Sequence, residues 1–210
     1  MKVTDVLIIG ASNPTIISTI EDINDSKSGQ RFNILGLLDN NISEQHLLGY
    51  PVLGGFDECN RFSKDVHLVN TIASSCQVRY ESTQFFLNMG WTFSNIIHPS
   101  IDCRYVQMEQ GNIIYEKAMI QPRVRLGSFN VISSLSGIAH DTCLKNNNFI
   151  GPNSYICGRV TIGSNCFFGV SSSVAPRVVI NDNSTIAAAS FVMHDLPASS
   201  RVKGIPARSF

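Results

Sequence analysis

The sequence predicts an α/β + β chain. A small parallel α/β sheet occupies residues 1–98, and a prism of short parallel strands with a C-terminal tail occupies residues 99–210. Three observations predict it. Strand and helix patterns alternate up to residue 98, and no helical pattern follows. Beyond that point large apolar residues recur at every sixth position from Met108 to Val192, fifteen in succession. A period of eighteen is superimposed on the period of six.

In the first half, VLIIG (6–10), FNILGLLD (32–39), VHLVNTI (66–72) and FSNIIH (93–98) read as buried strands. PTIISTIEDIN (14–24) and SCQVRYESTQFFLNMG (75–90) lie between them and suit helices. The HPS stretch at 98–100 closes this half.

In the second half, the residues two before each apolar position sort into three columns. One runs Val106, Val124, Thr142, Val160, Val178; the next Asn112, Asn130, Asn148, Cys166, Ser184; the third Ala118, Ser136, Ser154, Ser172, Ser190. Three short strands per coil, with coils ~4.8 Å apart, bring residues eighteen apart into contact. Asn130 over Asn148 is then expected to form a buried amide ladder. Small residues in these columns suit tight corners.

Composition narrows the function. Lys+Arg and Asp+Glu balance at 16 each, so no net positive charge invites nucleic acid or an anionic membrane. No apolar run approaches the ~18 residues of a spanning helix, and the first one is too short for a signal peptide. Six scattered cysteines without a CxxC pair predict reduced thiols, a cytoplasmic setting and no zinc motif.

One pair of residues carries chemistry. In SGIAHDTCL (136–144) His140 stands beside Asp141 in a stretch that otherwise reads as a half-buried strand. A neutral imidazole near pH 7 suits a general base, and a solvated outward histidine is the structural alternative. Neighbours on a straight strand point to opposite faces. Asp141 therefore reaches His140 only where the chain turns a corner, or else a neighbouring subunit supplies the acid. The eighteen-residue column through His140 reads Pro122, His140, Gly158, Pro176. Gly158 is expected one coil away, opening a slot for a ligand; a plain turn glycine is the alternative.

VLIIGAS (6–12), GYPVLGG (49–55), NIIHPS (95–100), AHD (139–141) and VKGIPAR (202–208) resemble the bacterial sugar N- and O-acetyltransferases of the sialic-acid O-acetyltransferase type. The turns LGSFNV, IGPNSY, IGSNCF and FGVSSS resemble the hexapeptide repeat of that family. The resemblance implies a small Rossmann-like N-terminal domain that holds a nucleotide sugar. It implies a left-handed parallel β-helix that binds acetyl-CoA, assembled as a homotrimer with the active site between two prisms. It makes His140 the base and Asp141 its partner. It sends acetyl-CoA contacts to Phe149, Gly158, Val170 and Ala188, with Phe149 replacing a second histidine of relatives. Val170 and Ala188, eighteen apart, would flank a pantetheine arm running along the prism.

For the N-terminal half the resemblance points to Ser12, Asn13, Pro14, Asp39, Asn40 and Ala73 as substrate contacts. The loop departs from the family, with Asn13-Pro14 for glycine and histidine, Asn40 for a second acid and Ala73 for a glycine. Gly10-Ala11-Ser12 between a strand and a helix could present backbone amides to a diphosphate. The expected reaction is acetyl transfer to the amino group of a nucleotide-linked amino sugar. The alternatives are O-acetylation of a sialic-acid-like sugar or surface-glycan precursor, and a non-catalytic homologue that stabilises a partner enzyme. A metal-dependent enzyme of this fold would need three meeting histidines, and Lys145 stands five after His140 where a second ligand would be. His46, His67, His98 and His194 belong to no such set, so no metal is expected.

Overall fold

The computed structural model describes residues 2–27, 29–41 and 44–209. The chain divides after Pro99 into two compact units.

The first unit is built on a five-stranded sheet, in the order His46–Leu47 (β3), Tyr50–Gly54 (β4), Gln30–Leu38 (β2), Lys2–Ile9 (β1), His67–Asn70 (β5). β1 (Lys2–Ile9) pairs in parallel with β2 (Gln30–Leu38) on one side and β5 (His67–Asn70) on the other. Val6, Leu7, Ile8 and Ile9 are fully buried, which explains why this central strand reads as a continuous apolar run rather than an alternating one. The crossover from β1 to β2 is α1 (Thr15–Asp25), which buries Ile16, Ile17, Ile20 and Ile23 at helical spacing. Pro14 is its N-cap, one residue outside the helix.

The second helix, α2 (Cys76–Asn88), starts at Ser75, whose hydroxyl accepts the Val78 N–H at 3.4 Å. Its buried face is largely polar. Asn70 at the end of β5 donates to Ser82 Oγ and Thr83 Oγ1, both at 2.9 Å. Three elements lie outside the sequence expectation. β3 (His46–Leu47) and β4 (Tyr50–Gly54) form a hairpin, and β4 extends the sheet in parallel beyond β2. A short 3-10 segment, Phe56–Arg61, follows.

The second unit is a parallel β-helix. Among the described residues, fifteen two-residue strands run from Gln107–Met108 to Phe191–Val192, and each ends on one of the periodic apolar positions. Residue i pairs with i+18 throughout: Arg125 with Cys143, Val131 with Phe149, Gly137 with Tyr155. Three faces of five stacked strands result. Of the fifteen apolar side chains only Met108, on the first coil, is not buried. Arg201–Lys203 continues the face of Thr185–Ile186, and Arg208–Ser209 pairs with it antiparallel.

The corners explain the six-residue repeat. Every sixth residue from Lys117 to Ala189 has φ between 54° and 65°, in the left-handed region, and none of them is glycine. Four are asparagine, which tolerates this conformation well. The amide ladder is present. Asn148 Nδ2 donates to Asn130 Oδ1, and Asn130 Nδ2 to Asn112 Oδ1, each at 3.0 Å and fully buried. The Oδ1 atoms of Asn112, Asn130 and Asn148 each accept a backbone N–H of the next coil, from Asn130, Asn148 and Cys166.

Candidate active site

Asp141 is one of the left-handed corner residues, at φ 62°. The chain therefore turns between His140 and Asp141, and the two side chains face each other. His140 Nδ1 lies 2.7 Å from Asp141 Oδ2. The acid comes from the same chain, which answers the geometric difficulty raised by a straight strand. A carboxylate can only accept, so in the neutral ring Nδ1 carries the proton and Nε2 the lone pair.

Nε2 faces Gly158. A β-carbon built on Gly158 would sit 3.0 Å from His140 Nε2 and 3.1 Å from Cε1. The coil stacking holds the pair in place, because Arg159 N donates to His140 O at 3.0 Å. On the other side, Gln121 Oε1 accepts the His140 backbone N–H at 3.0 Å. The imidazole is half exposed, with its basic nitrogen over a surface that has no side chain. This is an arrangement for taking a proton from a group that approaches along the prism.

Asp141 has a second partner that sequence reasoning missed. Arg123, one coil earlier in the corner column, grips it with Nε to Oδ1 at 2.6 Å and Nη2 to Oδ2 at 2.8 Å. Arg159, one coil later, brings its Nε to 3.8 Å from Oδ2. The hydrogen bonds from Arg123, then from His140, hold the Asp141 carboxyl far below the usual carboxylate range. It is ionised at every working pH. The signal was in the sequence, since Arg123, Asp141, Arg159 and Arg177 stand eighteen apart.

Phe149, Val170 and Ala188 lie elsewhere on the same prism. Phe149 stands on the face of Val131–Ile132, stacked on Phe167 with centroids 5.0 Å apart. Val170 and Ala188 are exposed and stack on each other at the corner after that face, with Ala189 N donating to Val170 O at 2.8 Å. His140 and Gly158 occupy the next corner along the chain. Within one chain, His140, Asp141 and Gly158 come together, and the other three form a separate strip.

In the first unit, a cleft of about 530 Å³ is lined by Ser12, Asn13, Asp39, Asn40 and Ala73, together with Phe56 and others. Pro14 is not among the lining residues. Asp39 organises the loop: Oδ2 accepts the Ala11 N–H and Oδ1 the Asn41 N–H, both at 2.9 Å. Asn40 Oδ1 accepts the Phe56 N–H at 2.8 Å. Phe56 belongs to the unforeseen 3-10 segment and packs on Phe85 and Phe86.

The remaining histidines are placed otherwise. His98 contacts Asp22 at 3.2 Å, and His67 contacts Ser94 at 2.9 Å. Asp195, next to His194, accepts the Val179 N–H. Among the described residues no group of three His, Cys, Asp or Glu side chains could hold a metal ion, and no helix is long and apolar enough to cross a membrane.

Fold and site together define a parallel β-helix with a histidine–aspartate pair at one corner. Residues 144–173 match the family described as bacterial transferase hexapeptide (six repeats). No curated protein matches the chain in sequence.

Solved structures match it over nearly its whole length. Perosamine N-acetyltransferase from Caulobacter crescentus, as a histidine-to-asparagine mutant in complex with CoA and GDP-perosamine, has a TM-score of 0.87 at 23% identity, covering 98% of this chain and 96% of that one. The acetyltransferase domain of PglB from Neisseria gonorrhoeae, in complex with acetyl coenzyme A, has a TM-score of 0.87 at 18% identity, covering all of both chains. WeeI from Acinetobacter baumannii has a TM-score of 0.76 at 18% identity, again over all of both. The chain carries hexapeptide repeats and shares the fold of these bacterial proteins.

Proposed function

We propose that the protein is an acetyl-CoA-dependent acetyltransferase acting on the amino group of a nucleotide-linked amino sugar. The observation that carries this reading is the Asp141–His140–Gly158 constellation, a base whose Nε2 is aimed over an open backbone surface. His140 Nε2 accepts the proton that the amine releases as it bonds the acetyl carbon. The imidazolium, steadied by Asp141, returns it to the departing thiolate. The transfer is direct and leaves no acetyl group on the protein.

The two described regions divide the substrates. The Rossmann-like first unit, residues 1–98, holds the nucleotide in the cleft at Asp39, with Ser12, Asn13, Asn40, Phe56 and Ala73 around it. The left-handed β-helix of residues 99–210 binds acetyl-CoA. Gly158 gives the thioester room, while Val170 and Ala188, with Phe149, line the pantetheine arm. Phe149, Val170 and Ala188 lie away from His140 in one chain, so a site shared between neighbouring prisms of a homotrimer unites them with it. The likeness in fold to perosamine N-acetyltransferase, whose complex contains CoA and GDP-perosamine, supports the choice of donor and acceptor.

The test is coenzyme A release over a panel of nucleotide-linked amino sugars, sialic-acid-like sugars and glycan precursors, with His140→Gln in parallel. Turnover on an amino sugar that falls at least ~10²-fold in His140→Gln is expected, the usual scale for a general base. Turnover only on hydroxyl acceptors would replace the amine with an O-acetylated sugar. No turnover on any acceptor would leave a non-catalytic partner protein. Wild-type turnover in His140→Gln would remove the mechanism.

A further inference from the structure

The histidine–aspartate pair has a third member that the proton transfer above does not use. Arg123 is bound to Asp141 through two parallel N–H···O contacts of 2.6 and 2.8 Å, the fork geometry of the strongest arginine–carboxylate pairs. It reaches Asp141 from the coil before, so its guanidinium and the imidazole bind the same carboxylate from two coils' worth of backbone. Oδ2 is shared: it faces His140 Nδ1 at 2.7 Å and Arg123 Nη2 at 2.8 Å.

A carboxylate beside a histidine has two effects. It orients the ring, which helps a base. It also favours the imidazolium, which withdraws the base from use when the pH falls. A guanidinium on the same carboxylate separates the two effects: it keeps the geometry and offsets the charge. We propose that Arg123 is a positioning residue, clamping Asp141 at the corner turn and offsetting its charge, so that the carboxylate aims His140 without holding it protonated. This rests on His140 acting as the base.

The other charged and titratable groups around the imidazole are few. Arg159 lies on the following coil with its Nε 3.8 Å from Asp141 Oδ2 and acts in the same sense as Arg123, more weakly. Arg177 continues that column one coil further, its backbone N–H on Gly158 O. Gln121, from the preceding coil, is neutral. Cys157, beside Gly158, has its thiol pushed up by burial and stays uncharged. Of the two arginines on Asp141, Arg123 is the nearer, at 2.6 Å against 3.8 Å.

The experiment reads the titration of His140 directly. Nuclear magnetic resonance of ring-labelled histidine follows each imidazole across pH in the intact protein without substrates, and the His140→Gln spectrum assigns the signal. In Arg123→Gln the His140 midpoint is expected to rise in dilute buffer, and by less as salt screens the pair. Asp141→Asn should move it the opposite way. Arg123→Lys keeps the charge without the fork. It should return the midpoint towards the wild-type value while leaving turnover reduced. The acid limb of kcat/KM should follow each shift, and kcat of Arg123→Gln should fall roughly tenfold through lost alignment.

An unchanged His140 midpoint in Arg123→Gln overturns the proposal. Because that measurement needs no reaction, it separates this failure from that of the acetyltransferase reading, which His140→Gln turnover decides. The Arg123 side chain is 72% exposed, so its replacement leaves the buried prism intact.

Discussion

Gly158 lies under Nε2 of His140: the first atom of any side chain would stand 3.0 Å from that nitrogen, so the ring would have to give way. Residue i+18 is thus both the stacking partner of the histidine and, under the proposed function, the floor of the space that a reacting group enters.

That relationship makes Gly158 the most informative position to fill. The imidazole is half exposed and can swing away from an added side chain, so folding should suffer little. Gly158→Ala should displace the ring and lower turnover about tenfold. Gly158→Leu should fill the slot and also weaken coenzyme A binding about tenfold or more. Overpacking commonly costs ~1–3 kcal/mol, and ~1.4 kcal/mol is one decade in affinity. Titration calorimetry that finds full coenzyme A affinity in a folded Gly158→Leu protein would separate the slot from the donor site.

Much of this site was legible because the second unit is nearly one-dimensional. Once strands of two residues repeat every six, a single register fixes every contact, and Gly158 follows from His140 by arithmetic. The corner conformation was harder. Lys117, Arg123, Phe129 and Leu135 occupy left-handed turns that glycine or asparagine would have signalled. There the stacked coils, and not local preference, impose the backbone. Arg123 escaped notice for a related reason. It shares a column with Asp141 and not with His140, and the direction of the Asp141 side chain depends on that turn.

The first unit was less legible. Its central strands are apolar runs that declare themselves. The β3–β4 hairpin is short, half exposed and without a strong alternation, and Phe56 reaches the cleft only through the 3-10 segment after it. α2 was placed by its position between strands. Its buried Ser82 and Thr83 serve Asn70, so its inner face carries little apolar periodicity.

The amide ladder should dominate the stability of the prism. Asn130→Ala removes the acceptor of the Asn148 backbone and side-chain N–H groups, and the donor to Asn112 Oδ1, all in the dry interior. Each buried group left unpaired costs ~1–3 kcal/mol. The variant should lose at least about 3 kcal/mol in thermal or denaturant unfolding. Ser184→Ala, in the same column, removes one hydroxyl that donates to Asn181 O at 2.7 Å and should cost only about 1 kcal/mol. Equal losses at the two positions would mean that the ladder is not special.

Asp39 tests the role of the first unit. Its two oxygens each take a backbone N–H, from Ala11 on the loop after β1 and from Asn41 after β2, and so draw two walls of the cleft together. In Asp39→Asn one of those N–H groups must face an amide donor instead of an acceptor. The Gly10–Asn13 loop should shift, while the strands beneath it, buried by Val6 to Ile9, should not. Under the proposed function the acceptor meets this loop and acetyl-CoA does not. The acceptor KM should therefore rise about tenfold, corresponding to one charge-assisted hydrogen bond of ~1.5 kcal/mol. The KM for acetyl-CoA, and kcat at saturating acceptor, should stay near their wild-type values. Steady-state kinetics with each substrate varied in turn separates the two. An acceptor KM unchanged by Asp39→Asn would mean that this cleft does not read the nucleotide, and the acceptor would then be a free sugar or a glycan held by the prism alone.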